Sequence, residues 1–581
     1  MINSIKNYFK EHWLGMVIAL LIGMVVAAPP VIWHFSTGYQ GVDMLKTNTE
    51  PPYVGFVQEV YDGHPGLGNP YLADSKDNLY LFPPFSANII AGFGKLFFLS
   101  SGVQAVMVSR FFIVSALAFM IYLFCFALTG RRAVGIVAAP FVLLGYSFVD
   151  PDNIINLFLR GNSSQEQTFI DYGRPMTPQI SALFFYSYLF CFWKSLQNLS
   201  KKSYAVLSVL ILGLSFYVYL FTWTFLFTLN GFLVLVYIWN KEFEKVKKII
   251  IISLGAFLMG LPYFWHIYLV SLHPWYTEVS TRFGFISMRA FYFSKLVIGS
   301  AILFIFSRKV FSRSLQLFFT AIFLTAIFVV NEQVITGKYI FNEHFHWYYN
   351  TPLMIIFLVV LLFSLQNRFF SKWQKIMSGL VIFMAGFLIF NGIMIQYASY
   401  KANLSAVIDE QKYAPLFEWL NKSTARDSVV LSLGESTRLI PALTHNNIYS
   451  ASGGVLYTLI PDERFLHSYL VYKYLEGIDP DYIREYLDAH REDISLAVVG
   501  YRYNFGGCAT CFPDAATIDN MVADYEQLTD ENFFTYVRRY PLDYLVWDKK
   551  QNPEWNVDER WNLIKLQTWG NISAYDLRQS Y

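Results

Sequence analysis

Between Asn331 and Pro352 the chain reads NEQVITGKYIFNEHFHWYYNTP. That stretch gathers carboxylates (Glu332, Glu343), an ammonium (Lys338), imidazoles (His344, His346) and phenols (Tyr339, Tyr348, Tyr349), with the amide Gln333 beside them. Such groups can move protons, hold an anion or ligate a metal. His344 and His346 are two apart: an extended backbone would put them on one side, whereas a helix would separate them. Contact with a phosphate or substrate, metal binding and interfacial structure all remain open for the pair, because the spacing fixes no third ligand.

Two further segments carry comparable chemistry. Residues 34–104 contain Asp43, Glu50, Glu59, Asp62, Asp74 and Asp77, with His34 and His64. The part from Pro52 to Asp62 has helical spacing, with Tyr53, Phe56, Val57 and Val60 on one face and Gln58 and Glu59 on another; DGHPGLGNP then ends it. Asp43 and Glu50 follow soonest after an apolar segment, which singles them out from carboxylates that merely solvate a loop. In DYGRPMTPQIS (171–181), Arg174 immediately precedes another apolar segment. It is either an interfacial anchor or a guanidinium held at headgroup depth, where its planar fork suits a phosphate. His273, Glu278 and Arg282 in 271–289 are less specific, since Trp and Arg near helix ends are ordinary anchors.

These groups must be held by a membrane framework. Of 581 residues, 55% are hydrophobic and 15% charged, against about a quarter charged in a typical soluble domain. The apolar residues fall in blocks of helix-spanning length, at 14–33, 105–128, 133–149, 179–196, 203–219, 221–239, 249–270, 290–306, 315–331, 350–366 and 376–397. This predicts a polytopic α-helical membrane protein of about eleven transmembrane helices. The first block lacks a small-x-small cleavage site and is expected to stay as a span. Residues 80–101, broken by Pro83 and Pro84, should lie in or dip into the interface. With the N-terminus in the cytoplasm, the short loops on that side carry about 17 Lys/Arg and 3 acidic residues, while the opposite loops are more acidic than basic. Every long polar loop then faces outward, and the cytoplasmic loops contain no histidine. Expected chemistry is therefore extracytoplasmic, where nucleotide-activated substrates are scarce and a transferase needs a lipid-carried donor. A bacterial cytoplasmic (inner) membrane is the simplest setting.

Composition shifts near Tyr400. Residues 400–581 hold 26 acidic and 17 basic groups, predicting a transmembrane domain at 1–399 and an extracytoplasmic α/β domain at 400–581. RDSVVLSL (426–433), ISLAVVGY (494–501) and LDYLVWD (542–548) read as buried strands, PDERFLHSYLVYKYLEG and PDYIREYLDAHRE as helices, and GNISAYDLRQ as a final edge strand. Cys125 and Cys191 lie in spans as small core residues. Cys508 and Cys511 form CATC, for which a local disulfide is expected; a four-cysteine zinc site would need a second pair. P-loop, HExxH and helix-linked GxSxG motifs are absent.

Taken together, the acidic first outer loop with its DG…NPY, the Pro-broken segment, RPMTPQIS before a span, QVITGKYIFNEHFHWY late in the membrane region and the closing α/β domain resemble the GT-C superfamily, polytopic glycosyltransferases that use polyprenyl-phosphate-linked sugars. The likeness covers nearly the whole chain. Adjacent acidic residues after the first span, common in that superfamily, are replaced here by the separated Asp43 and Glu50, and a WWDYG-type signature is absent. The resemblance implies sugar transfer from a polyprenyl-phosphate donor to a glycan or lipid-linked acceptor. It implies a carboxylate base, Asp43 first and Glu50 second, and substrate contacts from Glu59, Arg174, Gln333, Lys338, Glu343, His344 and His346. No cofactor is called for and no metal ligands are assigned, though a divalent ion would assist if Asp43 or Glu50 met a histidine. Membrane lipids are expected partners and nucleic acid is not. The aromatic segments YTLIPDERF and YRYNFGG are expected to face the acceptor. The competing readings are a transporter or lipid flippase with an accessory outer domain, which predicts ionisable groups deep within spans and on both faces, and a non-catalytic scaffold or sensor, which predicts outer-loop carboxylates that do not converge.

Overall fold

The computed structural model describes residues 2–47, 50–149, 168–282, 286–287, 289–369, 374–451, 458–499 and 513–578. Cys508, Cys511 and YRYNFGG lie outside the described residues. Helices occupy all eleven predicted segments: α1 (Ile2–His34), α4 (Gly102–Thr129), α5 (Arg132–Leu144), α6 (Gln179–Gln197), α7 (Lys202–Ser215), α8 (Leu220–Trp239), α9 (Phe243–Ser271), α10 (Lys295–Ser307), α11 (Arg313–Val329), α12 (Thr351–Phe369) and α13 (Gln374–Glu410). Among the described residues, six helical stretches are long and apolar enough to cross a membrane by themselves, and α5, α7 and α11 are apolar but shorter. The chain is a polytopic membrane protein with a small mixed sheet in its C-terminal part.

Two helices lie between α1 and α4: α2 (Glu50–Asp62) and α3 (Phe85–Leu96). The helical spacing of the first loop thus appears as α2. Pro84 caps α3, the Pro-broken segment, which rests on α2 and α4 and leaves Leu96 and Phe98 exposed. Close approach of α2 to α4 requires a glycine: a Cβ on Gly102 would fall 2.6 Å from the backbone nitrogen of Gln58. Gln58 Oε1 instead accepts from Gly102 N–H at 2.8 Å.

The basic loops contact one another at one end of the bundle. Lys248 Nζ donates to the Ser195 carbonyl at 2.9 Å, Arg313 to Asn240 at 2.6 Å and Arg131 to the Phe363 carbonyl at 3.1 Å. The first loop meets the C-terminal domain at the other end, where Asn78 donates to the Leu459 carbonyl at 2.7 Å and Arg426 to the Asp62 carbonyl at 2.9 Å. There too, Glu278 accepts from the Asp462 N–H at 2.6 Å.

Helix α13 runs unbroken to Glu410, so the compositional shift at Tyr400 falls inside it. Beyond it come α14 (Ala414–Ser423), β1 (Val429–Leu431), α15 (Glu435–Leu443), β2 (Asn447–Ile448), α16 (Asp462–Leu475), α17 (Ile483–Ala489), α18 (Arg491–Val499), α19 (Ala515–Glu526), β3 (Tyr544–Asp548), β4 (Ile564–Trp569) and β5 (Ile572–Asp576). The sheet order is β2-β1-β3-β5-β4, with β1 parallel to β2 and β3, and β5 antiparallel to β3 and β4. Strands β1 and β3 are buried throughout, as parallel strands covered on both faces are.

Two sequence expectations are corrected. ISLAVVGY does not form a strand: its described part belongs to α18, which packs on α16. A short apolar run does not distinguish buried strand from buried helix, and Glu492 and Asp493 in the first turn favour the helix. GNISAYDLRQ forms β5, which is not the edge but lies between β3 and the exposed β4.

Where the domains meet, Lys76 Nζ donates to Glu59 at 2.7 Å and to Asp427 at 2.5 Å, and His64 lies 3.0 Å from Asp427. Burial outweighs Lys76 and pushes the Glu59 carboxyl up from 4.5 to about 7. A folded-state value above the unfolded one stabilises the fold below about pH 4.5, and this contribution disappears as pH rises through about 7. Glu59→Gln stays neutral, so its stability relative to the native chain is expected to climb across that window, by ~3 kcal/mol at most. Melting temperatures of both proteins at a series of pH values check this; a pH-independent difference would refute the shift.

Candidate functional site

The site is built on the first turn of α2 and the segments that touch it. Glu50, fully buried, opens α2. Its Oε2 accepts from Thr47 N–H at 2.8 Å and from Thr47 Oγ1 at 2.6 Å, while its own N–H donates to the Thr47 carbonyl at 3.0 Å. Its Oε1 pairs with the guanidinium of Arg110, itself 2% exposed in the middle of α4. A carboxylate and a guanidinium so deeply buried must neutralise each other. Glu50 and Arg110 line a small buried cavity with Lys46, Thr47, Gly173 and Gln396.

Asp43 sits at the same end, 4% exposed, with His34 Nδ1 2.9 Å from its Oδ1. Burial pushes its carboxyl above the usual aspartate range; the hydrogen bond and charge of His34 oppose the shift, and nearby Glu50 adds to it. The Tyr39 phenol, desolvated and facing Asp43, is raised to about 12. Asp43 is thus a buried carboxylate with raised proton affinity, in contact with a half-exposed imidazole.

One turn further along α2, Tyr53 presents its ring to Arg174, whose guanidinium carbon is 5.5 Å from the ring centroid. Arg174 is 8% exposed. It follows Gly173, donates from Nε to the Thr177 carbonyl at 2.5 Å, and bonds to the Tyr348 hydroxyl. Asp171 stands nearby; burial raises its carboxyl and Arg174 opposes the shift. The His344 ring lies 5.5 Å from that of Tyr348, and its Nδ1 shares a 2.5 Å hydrogen bond with the Tyr219 hydroxyl. Arg174 and Tyr219, buried, and Tyr53, Tyr348 and His344, partly buried, therefore form one cationic and phenolic cluster, suited to an anion.

The two histidines part company. A helical turn, Asn342–Phe345, runs into a π-helix, His346–Asn350, so the backbone separates their rings, and His346 Nδ1 faces Ser294 Oγ at 3.3 Å. Among the described residues no group of three or more His, Cys, Asp or Glu could hold a metal ion. Gln333 is buried and donates to the carbonyls of Ala290 at 3.0 Å and Val330 at 3.1 Å. Lys338 is exposed in a two-residue strand paired with 286–287. Glu343 is half-buried beside Tyr339, and Glu59 lies at the domain junction. Of the nine candidates, Asp43 and Glu50 converge at one end of α2, and Arg174 and His344 near Tyr53; the other five lie outside both groupings.

Sequence reasoning missed Arg110 and Tyr219, and named Tyr348 among the phenols and Tyr53 on a helix face without giving either a site role. Arg110 had a signal: an arginine inside an apolar span faces protein and needs a counter-charge. Tyr219 had none, since aromatics are abundant in this chain.

No family model and no curated protein matches this sequence. Among solved structures, the chain is similar to the apo oligosaccharyltransferase of Archaeoglobus fulgidus, at 11% identity and TM-score 0.43, over 94% of this chain and 70% of that one. The archaeal oligosaccharyltransferase AglB of Archaeoglobus fulgidus, in complex with an inhibitory peptide and a dolichol-phosphate, gives 12% and 0.45 over the same shares. ArnT from Cupriavidus metallidurans bound to undecaprenyl phosphate gives 14% and 0.42, over 76% of this chain and 86% of that one. Likenesses at this level carry no weight for what this chain binds or does.

Breaking a buried ion pair from one side costs about 3–5 kcal/mol, because the other charge is stranded. Glu50→Gln and Arg110→Gln are each expected to lower the melting temperature strongly, and the double variant to recover part of the loss. Additive losses in a double-mutant cycle would contradict the pairing.

Proposed function

We propose that the protein is a membrane glycosyltransferase that moves a sugar from a polyprenyl-phosphate-linked donor to a glycan or lipid-linked acceptor on the extracytoplasmic face. The observation carrying this reading is the Arg174 cluster, packed on Tyr53 one turn into α2, close to the Glu50 end of that helix at which the Asp43 carboxylate sits. In this mechanism Arg174 holds the donor phosphate, with the Tyr348 hydroxyl and His344 at its flank. These groups stabilise the charge that develops on the phosphate as the anomeric C–O bond breaks. Asp43 accepts the proton of the acceptor hydroxyl as the new glycosidic bond forms. Asp43 is preferred to Glu50 as the base because Glu50 is committed to Arg110 and Thr47. Its raised pKa makes Asp43 a stronger base than an ordinary aspartate, and His34 keeps it oriented.

The test is release of polyprenyl phosphate by the purified full chain in lipid nanodiscs, across a panel of polyprenyl-phosphate-linked hexoses and pentoses. Asp43→Asn should lower turnover by about 100-fold or more. Arg174→Ala should raise the donor KM by roughly 10-fold or more, since hydrogen bonds to charged groups each contribute about 1.5–3 kcal/mol. Native turnover in both variants would remove the assignment. The acidic limb of the native rate profile should lie above the ordinary aspartate value of about 3.9, because the base works only once deprotonated. A limb at or below that value would exclude Asp43.

A further inference from the structure

We propose that Gln411 is the positioning residue for Asp43. This inference rests on Asp43 being the base. Gln411 is the first residue after α13, 3% exposed, and more than three hundred residues away in sequence from the loop it holds. Its Oε1 accepts from the N–H groups of Gln40 at 2.9 Å and Val42 at 3.2 Å. Its Nε2 donates to the carbonyls of Val42 at 2.9 Å and Val407 at 2.9 Å. One carboxamide thus satisfies both backbone groups of Val42, the residue immediately before Asp43, as a neighbouring strand would. The Trp33 indole N–H donates to the same Val42 carbonyl at 2.9 Å. Val42 is fully buried, so these bonds fix the backbone from which the Asp43 carboxylate reaches His34.

The chemistry singles out glutamine. Glutamate keeps the acceptor and lacks the donor, methionine keeps the shape and lacks both, and asparagine is one methylene shorter. The flanking residues extend the hold in both directions. Glu410 pairs with Lys46 of the same loop, while Lys412 Nζ and Tyr413 OH each donate to Asp548 of β3 at 2.8 Å. Residues 410–413 therefore tie the loop carrying Asp43 to the outer sheet, along the wall of a cleft of about 630 Å³.

The test compares native chain, Gln411→Met, Gln411→Glu and Asp43→Asn in nanodiscs, using the polyprenyl-phosphate-linked hexose probe. A misplacement of about 1 Å can cost on the order of 100-fold in rate. Gln411→Met is therefore expected to lower kcat by roughly 10- to 100-fold with donor KM changed less than about two-fold. Gln411→Glu should recover part of that kcat, and amide exchange at Gln40 and Val42 should quicken in Gln411→Met. A native kcat in Gln411→Met, or a loss shared equally by kcat and donor KM, overturns the inference. If Asp43→Asn turns over normally, the base assignment itself fails; if Asp43→Asn is inactive while Gln411→Met is native, only the positioning role fails. Should Gln411→Met not fold, Gln411→Glu decides: a several-fold lower kcat at unchanged KM supports the role, and a native kcat overturns it.

Discussion

The buried ion pair between Glu50 and Arg110 is the constraint on which the site depends. Neither charge can remain in an apolar bundle alone, so α2 must dock with its first residue against the middle of α4. Once that point is fixed, helical geometry places Tyr53 one turn along, against Arg174, and the bonds from Thr47 to the Glu50 carboxylate hold the preceding loop beside it. Asp43 then meets His34, the last residue of α1. A loop that could have solvated its carboxylates is instead part of the protein interior.

Burial of these groups is matched by the way the end of the bundle away from the basic loops is closed. The first loop is held by Arg110 of α4, by Asp427 of the C-terminal part, and by Glu410 and Gln411 at the end of α13. Both basic and acidic partners therefore come from segments remote in sequence, and the loop has little freedom without the domain that covers it. The cluster around Arg174 is assembled similarly, from α2, the segment before α6, the start of α8 and the π-helix before α12. A π turn is an irregularity that recurs at functional sites, and here it sets Tyr348 toward Arg174 while His346 faces away.

What the sequence made legible was what depends on length and charge sign. The eleven apolar segments, the basic loops meeting at one end and the helix beginning near Pro52 follow from span length, Lys/Arg distribution and local periodicity. Asp43, Arg174 and His344 could be singled out as candidates because ionisable groups beside spans are unusual. Pairings across hundreds of residues were not: nothing local links Gln411 to Val42 or Lys76 to Asp427. The ISLAVV run was ambiguous because fully buried strands and helices share a composition. The two histidines were misleading as a pair, since only the backbone type decides whether HxH presents one face.

The central claim is that Asp43 and the Arg174 cluster work together at the extracytoplasmic surface. Single cysteines at Thr37, Lys338, Lys201 and Ser312, all at exposed positions, in a Cys508→Ser/Cys511→Ser background, can be probed with a membrane-impermeant thiol reagent in intact cells. The account predicts that positions 37 and 338 are labelled and that 201 and 312 react only after the membrane is opened. Labelling of 37 and 338 on opposite sides, or of both only from the cytosol, would contradict it.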